Sequence, residues 1–178
     1  SAITSVIGTG SGTLIKQGTG TWTLNGANTY TGSTTIAGGT LTLGGNDSVG
    51  SGTLGSGTSG GVTVNDGAAL DLGGSKVITV LKPLILNGTG VNNGGALTSF
   101  GNSTYSGLVT LGSDTLISGP VVLSNTGTIT GDGKTLTLGG SSGGTLYSIL
   151  GTGSGGLIKQ GNGTWKLYAA NTYSGTTT

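Results

Sequence analysis

Residues 3–35 and 146–178 of this 178-residue chain align without a gap and share 22 of 33 positions. Gly8 answers to Gly151, Trp22 to Trp165 and Tyr30 to Tyr173, an offset of 143 residues. A closed sandwich or barrel cannot be lengthened by a second copy at its end, whereas a solenoid adds coils without limit, each covering the sheet edge of the last. A partial copy lies between the two, where NSTYSG at 102–107 echoes NTYTG at 28–32 and NTYSG at 171–175. Repetition on two scales reads as a linear array. The chain starts at Ser1 with no charged-then-apolar leader, and reads as a processed product or an excerpt of a longer one.

Within the unit the finer pattern is a series of short apolar alternations: Trp22/Leu24, Leu41/Leu43, Val62/Val64, Leu70/Leu72, Val77/Ile78/Val80, Leu84/Leu86 and Leu136/Leu138. Each reads as a short strand with side chains alternating in and out. Between them stand turn formers: GGND at 44–47, NDG at 65–67, GG at 73–74, NG at 87–88 and GDG at 131–133. No stretch has a 3.6-residue period, Glu, Arg and Met are absent, and β-branched Thr and Val abound, so essentially no α-helix is expected. The 42 Gly, 33 Thr and 20 Ser also invite a disordered reading. An apolar fraction of 32% gathered in strand-sized groups, with mean hydropathy +0.17, argues for order instead. The expected fold is all-β, a parallel β-solenoid running continuously from 1 to 178. At roughly 20 residues per coil, the unit holds about seven coils and the whole chain roughly eight to nine. Stacked at ~4.8 Å they make a rod roughly 40 Å long. Its interior would be a narrow stack of Val, Leu and Ile, and Thr in register would form hydroxyl ladders outside.

The run Gly-x-Gly-x-Leu-x-Lys-x-Gly-x-Gly-x-aromatic-x-Leu, followed by Asn-x-Tyr-x-Gly, is met at Gly10, Gly12, Leu14, Lys16, Gly18, Gly20, Trp22, Leu24, Asn28, Tyr30 and Gly32. Residues 8–44 and 151–178 resemble the autotransporter-associated β-strand repeat, also called the passenger-associated transport repeat. Residues 94–117 look like another element that accompanies it, a partial repeat motif. The resemblance implies a right-handed parallel β-helix, exported to the bacterial exterior as part of a long chain and helped in its secretion through an outer-membrane barrel.

The residues present leave little room for catalysis. His, Cys, Met, Arg and Glu are all absent, which removes thiolate and imidazole chemistry and Cys/His zinc sites. GSGTLG at 50–55 and GSGTSG at 55–60 satisfy the dinucleotide pattern without a following helix, and GKT at 133–135 resembles a P-loop end with the same defect. These read as loops and a coil corner. The five Asp, at 47, 66, 71, 114 and 132, share no period of the calcium-binding solenoid kind. A lyase or hydrolase on a solenoid scaffold would need a carboxylate cluster, and only Asp66 and Asp71 are near each other in sequence. No catalytic, cofactor or metal site is therefore expected. Asn46, Asn87, Asn102 and Asn162 stand in glycosylation sequons of the kind chance supplies in a chain rich in Ser and Thr.

The recurring aromatics Trp22, Tyr30, Tyr105, Trp165 and Tyr173 are candidates either for stacking on glycans or for stacking between coils, the latter being favoured by their place in alternating strands. Lys16 and Lys159 read as solvated stems beside a strand. Eleven charges with a net of +1 give no basic stripe for nucleic acid. The longest apolar run, 77–86, is interrupted by Lys82 and Pro83 and is too short to span a membrane. The expected role is that of a secreted or cell-surface structural rod, stalk or filament without an active site. Its partner would be itself, end to end or by continuation of the chain. The alternative is an adhesin module that binds cell-surface glycans.

Overall fold

Strand-sized groups of alternating apolar residues do form strands, and the glycines between them form the corners. The computed structural model describes residues 1–45, 53–75, 77–78 and 81–178. Asn46, Asp47, the Gly50–Gly52 part of the first dinucleotide-like run, and Val80 lie outside the described residues. Among those described, regular structure is β throughout, apart from one 3-10 turn at Val91–Asn93. The strand pairings are parallel, each strand lying against the one a coil earlier. The fold is a parallel β-solenoid with three faces, which the chain visits in the order I, II, III.

Face I stacks Ala2–Ile3, Thr21–Leu24, Gly39–Leu43, Ala68–Asp71, Leu97–Thr98, the end of Val109–Ser118, Leu136–Gly139 and Leu157–Lys159. Face II stacks Val77–Ile78, Ser103–Tyr105, Val121–Leu123, Thr145–Leu146 and Lys166–Leu167. In the earlier coils that face is held by backbone bonds that include Thr29 N to Ile7 O and Ser56 N to Tyr30 O. Face III stacks Leu14–Lys16, Thr34–Ile36, Val62–Val64, Leu84–Gly88 and the start of Val109–Ser118. It continues through a bridge from Thr110 to Thr130 and the pairing of Thr128–Ile129 with Ile149–Leu150. Val109–Ser118 crosses a corner as one long strand, its register shifting between Leu111 and Thr115.

From Ala2–Ile3 to Leu157–Lys159 the chain makes about seven turns, slightly fewer than coils of roughly 20 residues would give over that stretch and than the eight to nine expected of the whole chain. The reason is uneven coil length. The step from Ala2 to Thr23 takes 21 residues, but that from Thr42 to Asp71 takes 29, because corners with loops consume chain without adding a layer. A further coil begins where Leu157 bridges Thr177.

Inward rows make the core. On face I, Leu41, Leu70, Leu97, Ile117 and Leu138 lie in register, and on face III Ile36, Val64, Leu86 and Leu111 do the same; all are essentially buried. Each such Leu or Ile contributes roughly 1.5–3 kcal/mol by leaving water. Outward positions carry hydroxyls, and Thr110 and Thr130 bond Oγ1 to Oγ1 at 3.1 Å, a rung of the expected ladder.

Candidate functional site

The corner after Leu14–Lys16 is where the recurring motif becomes geometry. Lys16 follows the inward row of Ile36 and Val64, which would bury its ammonium in the core if the side chain stayed straight. Instead it turns to the corner, where Nζ donates to the carbonyls of Gln17 at 3.0 Å, Gly18 at 2.9 Å and Gly38 at 2.8 Å. Lys16 is only 6% exposed, so it is no solvated stem, and desolvation lowers its pKa from the ordinary lysine value. Lys159 makes the same first two bonds, to Gln160 O at 3.0 Å and Gly161 O at 2.7 Å, but it is exposed. Lys82 repeats the device elsewhere: fully buried, it donates to Gly32 O at 3.3 Å, Ser59 O at 3.0 Å and Gly60 O at 3.1 Å, with Nζ 5.6 Å from the centre of the Tyr30 ring. In the sequence Lys82 stands only as an interruption of an apolar run.

Tyr30 and Tyr105 are fully buried. Tyr30 Oη and Thr34 Oγ1 are 2.7 Å apart, which satisfies a threonine standing in an inward row, and Tyr105 Oη donates to Lys82 O at 2.7 Å. Trp165 and Tyr173 are half-buried and pack on the core. The indole of Trp165 donates to Gly139 O at 3.0 Å and covers Gly144, where a Cβ would fall 2.6 Å from the ring. Tyr173 pairs with Thr177 at 2.6 Å, as Tyr30 does with Thr34. Trp22 is in register with buried Leu41, so it too points inward, yet it is 40% exposed. It lies at the first coil, where a cavity of about 280 Å³ opens between Ile3, Leu14, Trp22, Leu24 and Leu41.

The tyrosines that do face solvent are two others. Tyr147 and Tyr168 stack with ring centroids 5.0 Å apart and planes 9° from parallel, just beyond the paired Leu146 and Leu167 of face II. Repeat alignment hid them, because their counterparts in the first copy are Thr4 and Asn25. The available signal was their spacing, close to one coil.

The two acids nearest in sequence stand at opposite ends of one face I strand. Asp71 ends a face I strand, accepting from Gly73 N at 2.9 Å and Thr42 Oγ1 at 3.4 Å, while Asp66 sits in the corner beside Asn65, Asn87 and Ser113. Burial raises the Asp71 pKa, and those bonds, with one from Thr98, oppose the rise. Among the described residues no three of His, Cys, Asp and Glu gather as metal ligands do. Lys134 of the GKT run follows a coil corner, its N–H bonding Gly131 O at 2.9 Å. Asn87 uses its amide inside the structure, donating to Val64 O at 2.8 Å. No helix among the described residues is long and apolar enough to cross a membrane.

The passenger-associated-transport-repeat family matches residues 14–43 and 157–178, the two segments that hold the lysine corner and the Asn-x-Tyr motif. Both matched segments fall within the stretches 8–44 and 151–178 that resemble this repeat. No curated protein and no solved structure matches.

Proposed function

We propose that the chain is a segment of a non-enzymatic structural rod displayed on, or secreted from, a bacterial surface, in the manner of an autotransporter passenger. The observation that carries this reading is the recurrence of one set of corner contacts in both copies of the repeat. Asn171, Tyr173 and Lys159 repeat the contacts of Asn28, Tyr30 and Lys16, but only as far as the coils already present allow. Asn28 Oδ1 accepts from Ile7 N at 2.8 Å and its amide donates forward to Thr53 O at 2.9 Å; Asn171 Oδ1 accepts from Leu150 N at 2.8 Å. Lys16 has its third carbonyl in Gly38, 22 residues on, the coil that Lys159 would meet in a continuing chain. Force along such a rod loads the inter-coil amide hydrogen bonds of three sheets at once, and the recurrent aromatics serve to stack coil on coil.

Electron microscopy over a concentration series, with far-UV circular dichroism, tests this. Rods or end-to-end filaments with a β spectrum are the expected result, and compact particles would overturn it. The exposed Tyr147–Tyr168 pair favours a second reading, an adhesin whose aromatic edge meets glycans. Glycan-array binding that Tyr168→Ala abolishes would establish it.

A further inference from the structure

The two copies of the repeat are locally alike yet stand on different faces. Leu14–Lys16 lies on face III, paired with Thr34–Ile36, whereas its equivalent Leu157–Lys159 lies on face I, paired with Leu136–Gly139. Thr21–Leu24 lies on face I, paired with Gly39–Leu43, and its equivalent carries Lys166–Leu167 on face II, paired with Thr145–Leu146. Ile7 is on face II, bonded by Thr29 N, and its equivalent Leu150 is on face III, in register with Ile129. All three comparisons advance by one face in the direction the chain travels.

The strand register agrees. The row of Leu14 passes through Thr34, Val62, Leu84, Val109 and Ile129 to Leu150, and so reaches the counterpart of Ile7 rather than Leu157. We infer that the 143-residue unit winds six turns and one face, so that each copy stands about a third of a turn round from the last. The device that makes this tolerable is the corner. The Lys-Gln-Gly turn closes with the same two Nζ bonds between faces III and I in the first copy and between faces I and II in the second. The Asn and Tyr contacts likewise recur unchanged on a new face. The sequence specifies strand, corner and strand, and any side of the triangle accepts it.

The functional consequence rests on the rod reading. A rod that continues this unit has no dedicated face: each surface cluster reappears on the next face after roughly 30 Å, and on the same face only after three units, about 90 Å. The solvent-facing tyrosine edge on face II would recur on face III. A partner that reads one such cluster would be bound around the rod in a screw, and a flat partner lying along one face would meet it once in three units.

The phase is a property of this chain and is tested in it, apart from any rod. The sequence has no cysteine, so introduced pairs are the only thiols. Outward Ile15 heads the row Thr35, Thr63, Ile85, Thr110 and Thr130, and a unit of whole turns would set Ile158 over Thr130; in the structure Ile158 is in register with Thr137. Strands in register are close enough for a disulfide. Under mild oxidation nearly all of the Thr137→Cys/Ile158→Cys variant should close, as should the face III reference Thr110→Cys/Thr130→Cys, while almost none of Thr130→Cys/Ile158→Cys does. Closure of the last pair overturns the inference, and so does failure of Thr137/Ile158 in a variant whose β spectrum is intact. Should the Ile158 variants lose their fold, Thr145→Cys/Lys166→Cys asks the same question on face II, with closure supporting the inference and failure to close in a folded variant opposing it. Rods without these cross-links would fail the phase alone, and the cross-links without rods would fail the structural reading alone.

Discussion

Lys82 is a buried cation that donates to three backbone carbonyls. Its ammonium ties Ser59 and Gly60 to Gly32 in the coil before, so removing it strips a donor from three backbone oxygens at once. Lys82→Met should lower stability by about 3 kcal/mol in urea unfolding, the cost of leaving such acceptors without their charged donor, whereas Lys166→Met on the surface should stay within about 0.5 kcal/mol. Asp71 makes a prediction of unusual sign. Its carboxyl, raised above the ordinary 3.8 in the folded chain, holds a proton at pH values where the unfolded chain has released it. In that window the folded state binds more protons, so its contribution to stability grows as pH falls through the folded pKa toward 3.8 and is lost as pH rises. As pH is lowered toward about 4 the wild-type urea midpoint should rise relative to that of Asp71→Asn, and a fall would contradict the burial assigned to this carboxyl.

Strands of two to five residues are stable here only because each has neighbours above and below, and the same leucine is therefore worth different amounts along the stack. Leu70 lies between Leu41 and Leu97 and is fully buried, while Leu14 lines the open first coil. Leu70→Ala should cost about 3 kcal/mol, as a cavity with packed walls on both sides does, and Leu14→Ala less than about 1.5 kcal/mol. Equal costs would mean that the first coil is covered in solution. This dependence on neighbours also explains what could be read from the sequence. Alternating pairs such as Leu41/Leu43 and Val62/Val64 announced strands, and the 143-residue offset announced stacking, because both are local patterns. The coil count was not legible, since it depends on how much chain the corners between Leu43 and Val62 or between Leu86 and Leu97 consume. Nor were the lysines, whose positions are set by carbonyls presented by other coils, as Gly38 is to Lys16. The aromatic motif named Tyr30 and Tyr105, which are core, and missed Tyr147 and Tyr168, which face solvent, because an inward position recurs with the repeat and an outward one is free to vary.

At the scale of the whole molecule the solenoid behaves as a one-dimensional stack, in which each coil is held by its neighbours and the ends are held on one side only. Most of the side chains from Ser1 to Thr13 are exposed, and the last coil leaves Lys159, Leu167 and Tyr168 open to solvent. The middle of the stack has no such relief: Val64, Leu70, Leu86 and Leu97 are fully buried under coils on both sides. Opening from an end breaks one layer of contacts per coil, while opening in the middle breaks two, so protection against hydrogen exchange should be graded along the axis. Amides of Thr21–Leu24 and Leu157–Lys159 should exchange at least about a hundredfold faster than those of Val62–Val64 and Ala68–Asp71, the difference being roughly one coil's interface. If a chain end joins another copy, the gradient should flatten at that end as protein concentration rises and stay fixed at the other. A flat profile at every dilution would contradict the independent-coil stack, because the rod would then open only as a whole.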